Sequence, residues 1–111
     1  MNVEELPPVI VGGFRIAIKV DNVRLVGDGL YGQHRNDELC ILIRDDVPRA
    51  LIAETVLHEV IHAISSVYLE NLVLDEQRVG LLAQGLFQVI QSNPRLIEFI
   101  QQANVQQANE K

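Results

Sequence analysis

Three residues in the stretch TVLHEVIHAI, Thr55–Ile64, are of the types that carry hydrolytic chemistry: His58, Glu59 and His62. On an α-helix, positions four apart lie about 40° apart around the axis and one turn apart along it. His58 and His62 therefore point the same way, and their ring nitrogens can meet one ion at about 2.0–2.1 Å, the zinc–nitrogen distance. Glu59 sits on the flank of that pair, where it reaches a water held by the ion without being a ligand itself. This His-Glu-x-x-His spacing is that of zinc hydrolases. Zinc lowers the pKa of its water to about 7. The glutamate takes a proton as the water attacks a carbonyl carbon and hands it to the leaving amine. The expected chemistry is peptide-bond hydrolysis with Zn2+ as cofactor and Glu59 as general base. The competing reading is a pair of core histidines, and the apolar neighbours weigh against it, because an unliganded polar pair there would be costly.

Zinc in a hydrolytic site takes three protein ligands and keeps one position open. Three acidic residues follow the motif helix: Glu70, Asp75 and Glu76. Glu70 can equally be a solvated helix end and Asp75 a cap. Glu76 starts the next helix on the face of Val79, Ala83, Leu86 and Ile90, and a short connection lets the two helices pack as neighbours. It is the preferred third ligand. His34, in the segment QHRND, reads as a solvated turn residue. Tyr68, six residues past His62, is the nearest phenol that can help a developing oxyanion; its other reading is a boundary aromatic.

The elements that position these residues follow from periodicity. GFRIAIKV alternates, with Phe14, Ile16, Ile18 and Val20 on one face, and predicts a half-buried strand. DNVRLVGDG reads as a loop or short extended piece. LYGQHR and ELCILIR read as two strands of a hairpin around RNDE. The run Leu39, Cys40, Ile41, Leu42 and Ile43 is apolar on both faces, which predicts a covered strand. From Asp46 the period changes to that of a long helix through Glu70, capped by Asp45 or Asp46 with Pro48 in its first turn. It is apolar nearly all round and must be central. A second helix runs from about Asp75 to Gln91, with Val79, Leu82, Ala83, Leu86, Phe87, Val89 and Ile90 turned inward. Pro94 starts a short third helix, and from about Asn104 the tail is polar and frayed. MNVEELPP is a lead-in of one helical turn ended by its prolines. Strands followed by helices predict an α+β domain: a small antiparallel or mixed sheet of about three strands on a layer of about three helices.

Composition bounds the rest. The 111 residues make one domain, residues 1–111, and 48% hydrophobic content argues against disorder. The net charge of −6, with nine scattered Lys and Arg, disfavours nucleic acid as a partner. The single cysteine, Cys40, excludes an internal disulfide and reads as a buried thiol. No signal peptide opens the chain and no apolar run is long enough to span a bilayer, so a cytoplasmic protein with no membrane partner is expected. A homodimer, paired through the first strand or an apolar helix face, is compatible with the pattern.

The segments YGQHRNDELCILI, TVLHEVIHAI and LDEQRVGLLAQGLFQVIQSNP, together Tyr31 to Pro94, resemble the minimal zincins. These are compact gluzincin-type metallopeptidase-like domains related to the ImmA/IrrE group, including small phage-type proteins. The resemblance implies a zinc site of His58, His62 and Glu76, with Glu59 as base. It also implies that Leu39–Ile43 is the edge strand of the cleft, along which a peptide or protein substrate lies as an added strand. A family of zinc-dependent endoribonucleases resembles the same pattern but carries a third histidine where this chain has Tyr68; that difference and the acidic charge disfavour RNA cleavage. A non-catalytic zinc-binding module is the remaining alternative, since zinc can supply much of a small domain's folding free energy.

Overall fold

The computed structural model describes residues 2–69 and 76–109. The domain is α+β, as expected, with a mixed four-stranded sheet and four helices. A 3₁₀ turn, Val3–Glu5, leads into strand β1, Val9–Val11. Strand β2, Phe14–Val20, pairs antiparallel with it. Helix α1, Asn22–Asp28, follows, then the hairpin of β3, Gly32–Arg35, and β4, Cys40–Ile43. The chain then enters α2, Arg49–Ile64, continued by a π-helical turn over Ser65–Leu69. Helices α3, Glu76–Ser92, and α4, Pro94–Asn109, complete the described residues. The spatial strand order is β1-β2-β4-β3, with β2 and β4 parallel.

Two faces of this sheet bury different sets. Ile16 and Ile18 of β2 and Ile41 and Ile43 of β4 face α2, where Ile52, Val56, Val60, Ala63 and Ile64 meet them. Helix α4 closes this main core with Leu96, Phe99 and Ala103. On the opposite face Leu25 of α1 packs on Cys40 and Leu42. Strand β4 is thus buried at every position, the covered strand its composition predicts. Cys40 is fully buried, and burial pushes its thiol pKa up.

Several local expectations are corrected. Strand β1 was absent from the periodicity reading, because three residues are too short to show alternation. The segment after β2 is a helix, not a loop: Asp21 caps it by accepting from the Arg24 N–H at 3.1 Å, and Gly29, at φ 71°, ends it in the left-handed conformation. Helix α2 starts at Arg49 with Pro48 at its N-cap. Asp45 and Asp46 do not cap it: Asp45 pairs with Asn22, and Asp46 takes both ends of the Arg44 guanidinium. On α3, Ala83, Phe87 and Ile90 are exposed rather than inward. The backbone of α4 stays helical to Asn109, well past the expected fraying point. Arg49–Leu69 reaches the length and mean hydropathy of a membrane-crossing helix, and in this fold its apolar face covers the sheet.

The two outer strands are treated differently. Strand β1 turns Ile10 away from β2, and amides from α3 and the α3–α4 junction take it up. Asn93 accepts the Ile10 N–H at 2.8 Å and donates to the Ile10 and Val89 carbonyls at 3.0 and 2.9 Å. Gln88 accepts the Gly12 N–H at 2.7 Å and donates to the Ile10 carbonyl at 2.8 Å. Asn93 is one of two buried polar residues among those described. Asn93→Ala strands the partly buried Ile10 N–H and leaves a buried gap at residue 93, and a loss of about 1 kcal/mol, the low end of the cost of an unpaired group, is expected by urea unfolding. Leu39, at φ 50°, is the non-glycine residue with positive φ between β3 and β4.

Candidate metal centre

The motif helix presents its two histidines to solvent rather than to the core. Val56, Val60, Ala63 and Ile64 take the buried stripe, so His58 and His62, one turn apart, fall on the outer side. The His58 side chain is 65% exposed. The burial argument drawn from their apolar neighbours is therefore corrected: Val60 and Ala63 are buried, but Leu57 and Ile61 are exposed and share the outer side with the two imidazoles. The rings meet edge-on, with centroids 4.9 Å apart and planes at 67°. Glu59 does what neither histidine does and turns inward, to 7% exposure.

The inward turn of Glu59 is met by strand β3. In the β3–β4 register Gln33 lies opposite Leu42 and His34 opposite Ile41, and the Arg44 N–H bonds the Tyr31 carbonyl at 3.0 Å. That pattern makes Gly32 and His34 non-hydrogen-bonded positions, whose backbone groups point away from β4. The His34 N–H is taken by Glu59 Oε1 at 3.0 Å. The second oxygen, Oε2, stands 4.0 Å from His58 Nε2. One carboxylate thus joins the outer strand to the motif helix and leaves its other oxygen beside the imidazole.

Gly32 makes this approach feasible. A Cβ there would lie 2.6 Å from Thr55 Cγ2 and 3.2 Å from Glu59 Cγ. The Thr55 hydroxyl donates to the Leu51 carbonyl at 2.7 Å, which holds its methyl in place. No side chain fits between β3 and this turn of α2.

Leu30, Gly32, Gln33, His34, His58, Glu59, His62 and Ser66 line one cleft of about 360 Å³. His34 is the residue that sequence reasoning misplaced. It belongs to β3, not to a solvated turn, and is half-buried. Its cross-strand partner Ile41 faces α2, so the imidazole faces α2 as well. Burial holds it below the ordinary imidazole pKa, against the Glu59 carboxylate, which pulls the other way, and with a smaller push from His62. Its Nε2 is shut off from solvent and has no hydrogen-bond partner. The alternation Gly32–His34 opposite Ile41–Ile43 was the signal that could have found it.

Other expectations are corrected here. Leu39–Ile43 is not the edge of the cleft: Cys40–Ile43 form β4, hydrogen-bonded to β2 on one side and β3 on the other, while Leu39 precedes the strand. An inner strand has no free ladder for a peptide; the outer strand here is β3. Likewise β2 is internal, so the first predicted strand offers no edge for pairing two subunits. Tyr68 does not line the cleft. Its hydroxyl donates to Gln88 Oε1 at 3.1 Å, and its ring packs against the main core. It is the boundary aromatic of the alternative reading. Glu70 and Asp75 lie outside the described residues, and Glu76 is described by its backbone as the first residue of α3.

Among the described residues, no three His, Cys, Asp or Glu side chains are grouped closely enough to hold an ion as they stand. The donor chemistry nonetheless fits a transition-metal ion of the zinc class. Two imidazoles share one helix face, and a third, in the same cleft, has an orphaned nitrogen. A second hollow of about 330 Å³, bordered by Val3, Val47, Ile52 and Phe99, contains none of these residues. Comparison with known protein families, with curated proteins and with solved structures finds no match.

Proposed function

We propose that this chain is a zinc-dependent metallopeptidase, with His58 and His62 as metal ligands, Glu76 as the third ligand implied by resemblance to the minimal zincins, and Glu59 as general base. The observation that carries this reading is the placement of Glu59. Its carboxylate is fixed on the β3 backbone through the His34 N–H, with one oxygen left next to His58. When bound, zinc would supply an acidified water and a Lewis acid for the scissile carbonyl.

The protein's own residues account for the remaining steps. Strand β3, the outer strand beside the cleft, offers the Gly32 and His34 backbone groups to an extended peptide or protein substrate. A substrate carbonyl arriving at the His34 N–H replaces Glu59 Oε1 there and frees the carboxylate. Glu59 then accepts the proton of the attacking water and returns it to the leaving amine nitrogen, so that the C–N bond breaks with a neutral amine departing. The negative net charge fits a peptide substrate better than nucleic acid. A cytoplasmic location and a homodimer belong to the same proposal.

A second reading, a non-catalytic zinc-binding module, draws on the same bond: a carboxylate tied to backbone also serves as a brace between strand and helix. The test is zinc content. Wild-type protein purified without chelator is expected to carry about one zinc per chain and His62→Ala none, because a helix pair reduced to one imidazole loses the chelate. Absence of zinc from wild-type protein even when supplied would remove both readings.

A further inference from the structure

We propose that His34, His58 and His62 together form a three-imidazole site for a divalent transition-metal ion of the zinc class, with the edge strand supplying the third ligand. The inference deepens the metallopeptidase reading and rests on it. It differs from the ligand set that the zincin resemblance implies, in which Glu76 is third.

Three observations carry it. First, His34 Nε2 is buried and without a hydrogen-bond partner. A buried polar atom with no partner is rare and costly, and a metal ion is one of the few groups that satisfies an imidazole lone pair. Second, the register fixes where the ring points. His34 lies opposite Ile41, whose side chain meets α2, and His34, His58 and His62 line the same cleft. Third, the His34 backbone is already tied to the motif helix by the bond from its N–H to Glu59. That bond and the close approach at Gly32 hold the strand at a fixed height over α2.

The three rings are not grouped at ligand distance as they stand, so binding requires them to turn toward one another. His58 and His62 are exposed, so rotating them disturbs no core contact. The half-buried His34 sets the position to which they turn. A site of three imidazoles leaves one coordination position open and keeps Glu59 out of the coordination sphere, where its carboxylate can act on a proton. A water molecule hydrogen-bonded to His34 Nε2 is the competing explanation of the orphan, and it predicts no role for His34 in metal binding.

The experiment uses the full chain and cobalt(II) as a spectroscopic substitute for zinc. Wild type, His62→Ala, His34→Gln and His34→Cys are each titrated with cobalt(II) and zinc(II), with affinity and visible and near-ultraviolet absorption recorded. Expected for His34→Gln is a loss of affinity of more than about 100-fold, beyond the roughly 10–100-fold that an outer-shell partner costs. For His34→Cys a thiolate-to-cobalt charge-transfer band is expected that wild type lacks, since the native Cys40 is buried on the opposite face of the sheet. That band requires coordination by the substituted side chain, so it stands even where His34→Gln fails to fold. If His34→Gln binds cobalt(II) with wild-type affinity and spectrum, or His34→Cys gives no such band, while His62→Ala loses the metal, then His34 is no ligand. The metallopeptidase reading then survives with its third ligand elsewhere. Failure of wild type to bind either ion overturns both.

Discussion

Glu59→Gln is expected to leave the fold and the zinc content of this protein unchanged and to lower peptide hydrolysis by about 10²–10⁴-fold, the range supplied by a positioned general base. The substitution separates the two jobs of the side chain. Glutamine keeps a carbonyl oxygen for the His34 N–H, so the link between β3 and α2 persists. It replaces the oxygen beside His58 with an amide nitrogen, which has no lone pair for a proton. The readouts are zinc per chain, thermal midpoint, and turnover of a fluorogenic mixed-peptide library. Loss of turnover with metal and midpoint retained marks a base. If wild type and variant cleave the library equally, Glu59 is a brace and not the base; if zinc-loaded wild type cleaves nothing, the metallopeptidase proposal fails.

Gly32→Ala is expected to destabilise the domain by about 3 kcal/mol, at the upper end of overpacking costs. The new methyl would lie 2.6 Å from Thr55 Cγ2, and the Thr55 hydroxyl bond to Leu51 prevents that group from swinging away. Strand β3 must lift off α2, and the bond from the His34 N–H to Glu59 stretches with it. Hydrolysis therefore falls along with stability. Thr55→Ser deletes the offending methyl and keeps the hydroxyl, so the double variant should recover much of the loss. Urea unfolding of the two single variants and the double variant measures the coupling. A Gly32→Ala protein as stable as wild type, or no rescue by Thr55→Ser, would mean that the close approach does not set the position of β3.

Long periodic segments were legible in the sequence because their patterns are redundant. Helix α2 has enough apolar positions that its existence as a central helix could hardly be mistaken, and β2 and β4 announce themselves by alternation and by a continuous apolar run. Short elements were not. Strand β1 has three residues and α1 has seven, with Leu25 its one buried residue. Their existence depends on tertiary partners, in the first case side-chain amides more than 70 residues away. The His-Glu-x-x-His group was legible as a helix-face argument, but which face is wet was not. Apolar neighbours at 57 and 61 suggested burial, whereas Leu57 is 38% and Ile61 40% exposed. His34 was missed because its role depends on register, and register is fixed by the partner strand rather than by the residue's own surroundings. The edge of the sheet was misplaced for a related reason: composition reports that a strand is covered, and a covered strand with neighbours on both sides is the opposite of an edge.

The unequal edges of the sheet bear on self-association. Sheets that present two bare edges can add copies indefinitely, one strand to the next, and such growth is the route to insoluble fibres. In this domain the outward groups of Ile10 are occupied by Gln88 and Asn93. Those amides act as a chain terminator in the polymer chemist's sense. An added strand meets the sheet at β3, where the His34 N–H is already held by Glu59 and must be released, and a strand docked there covers the cleft. A second copy of the chain and an extended ligand would therefore compete for one and the same edge.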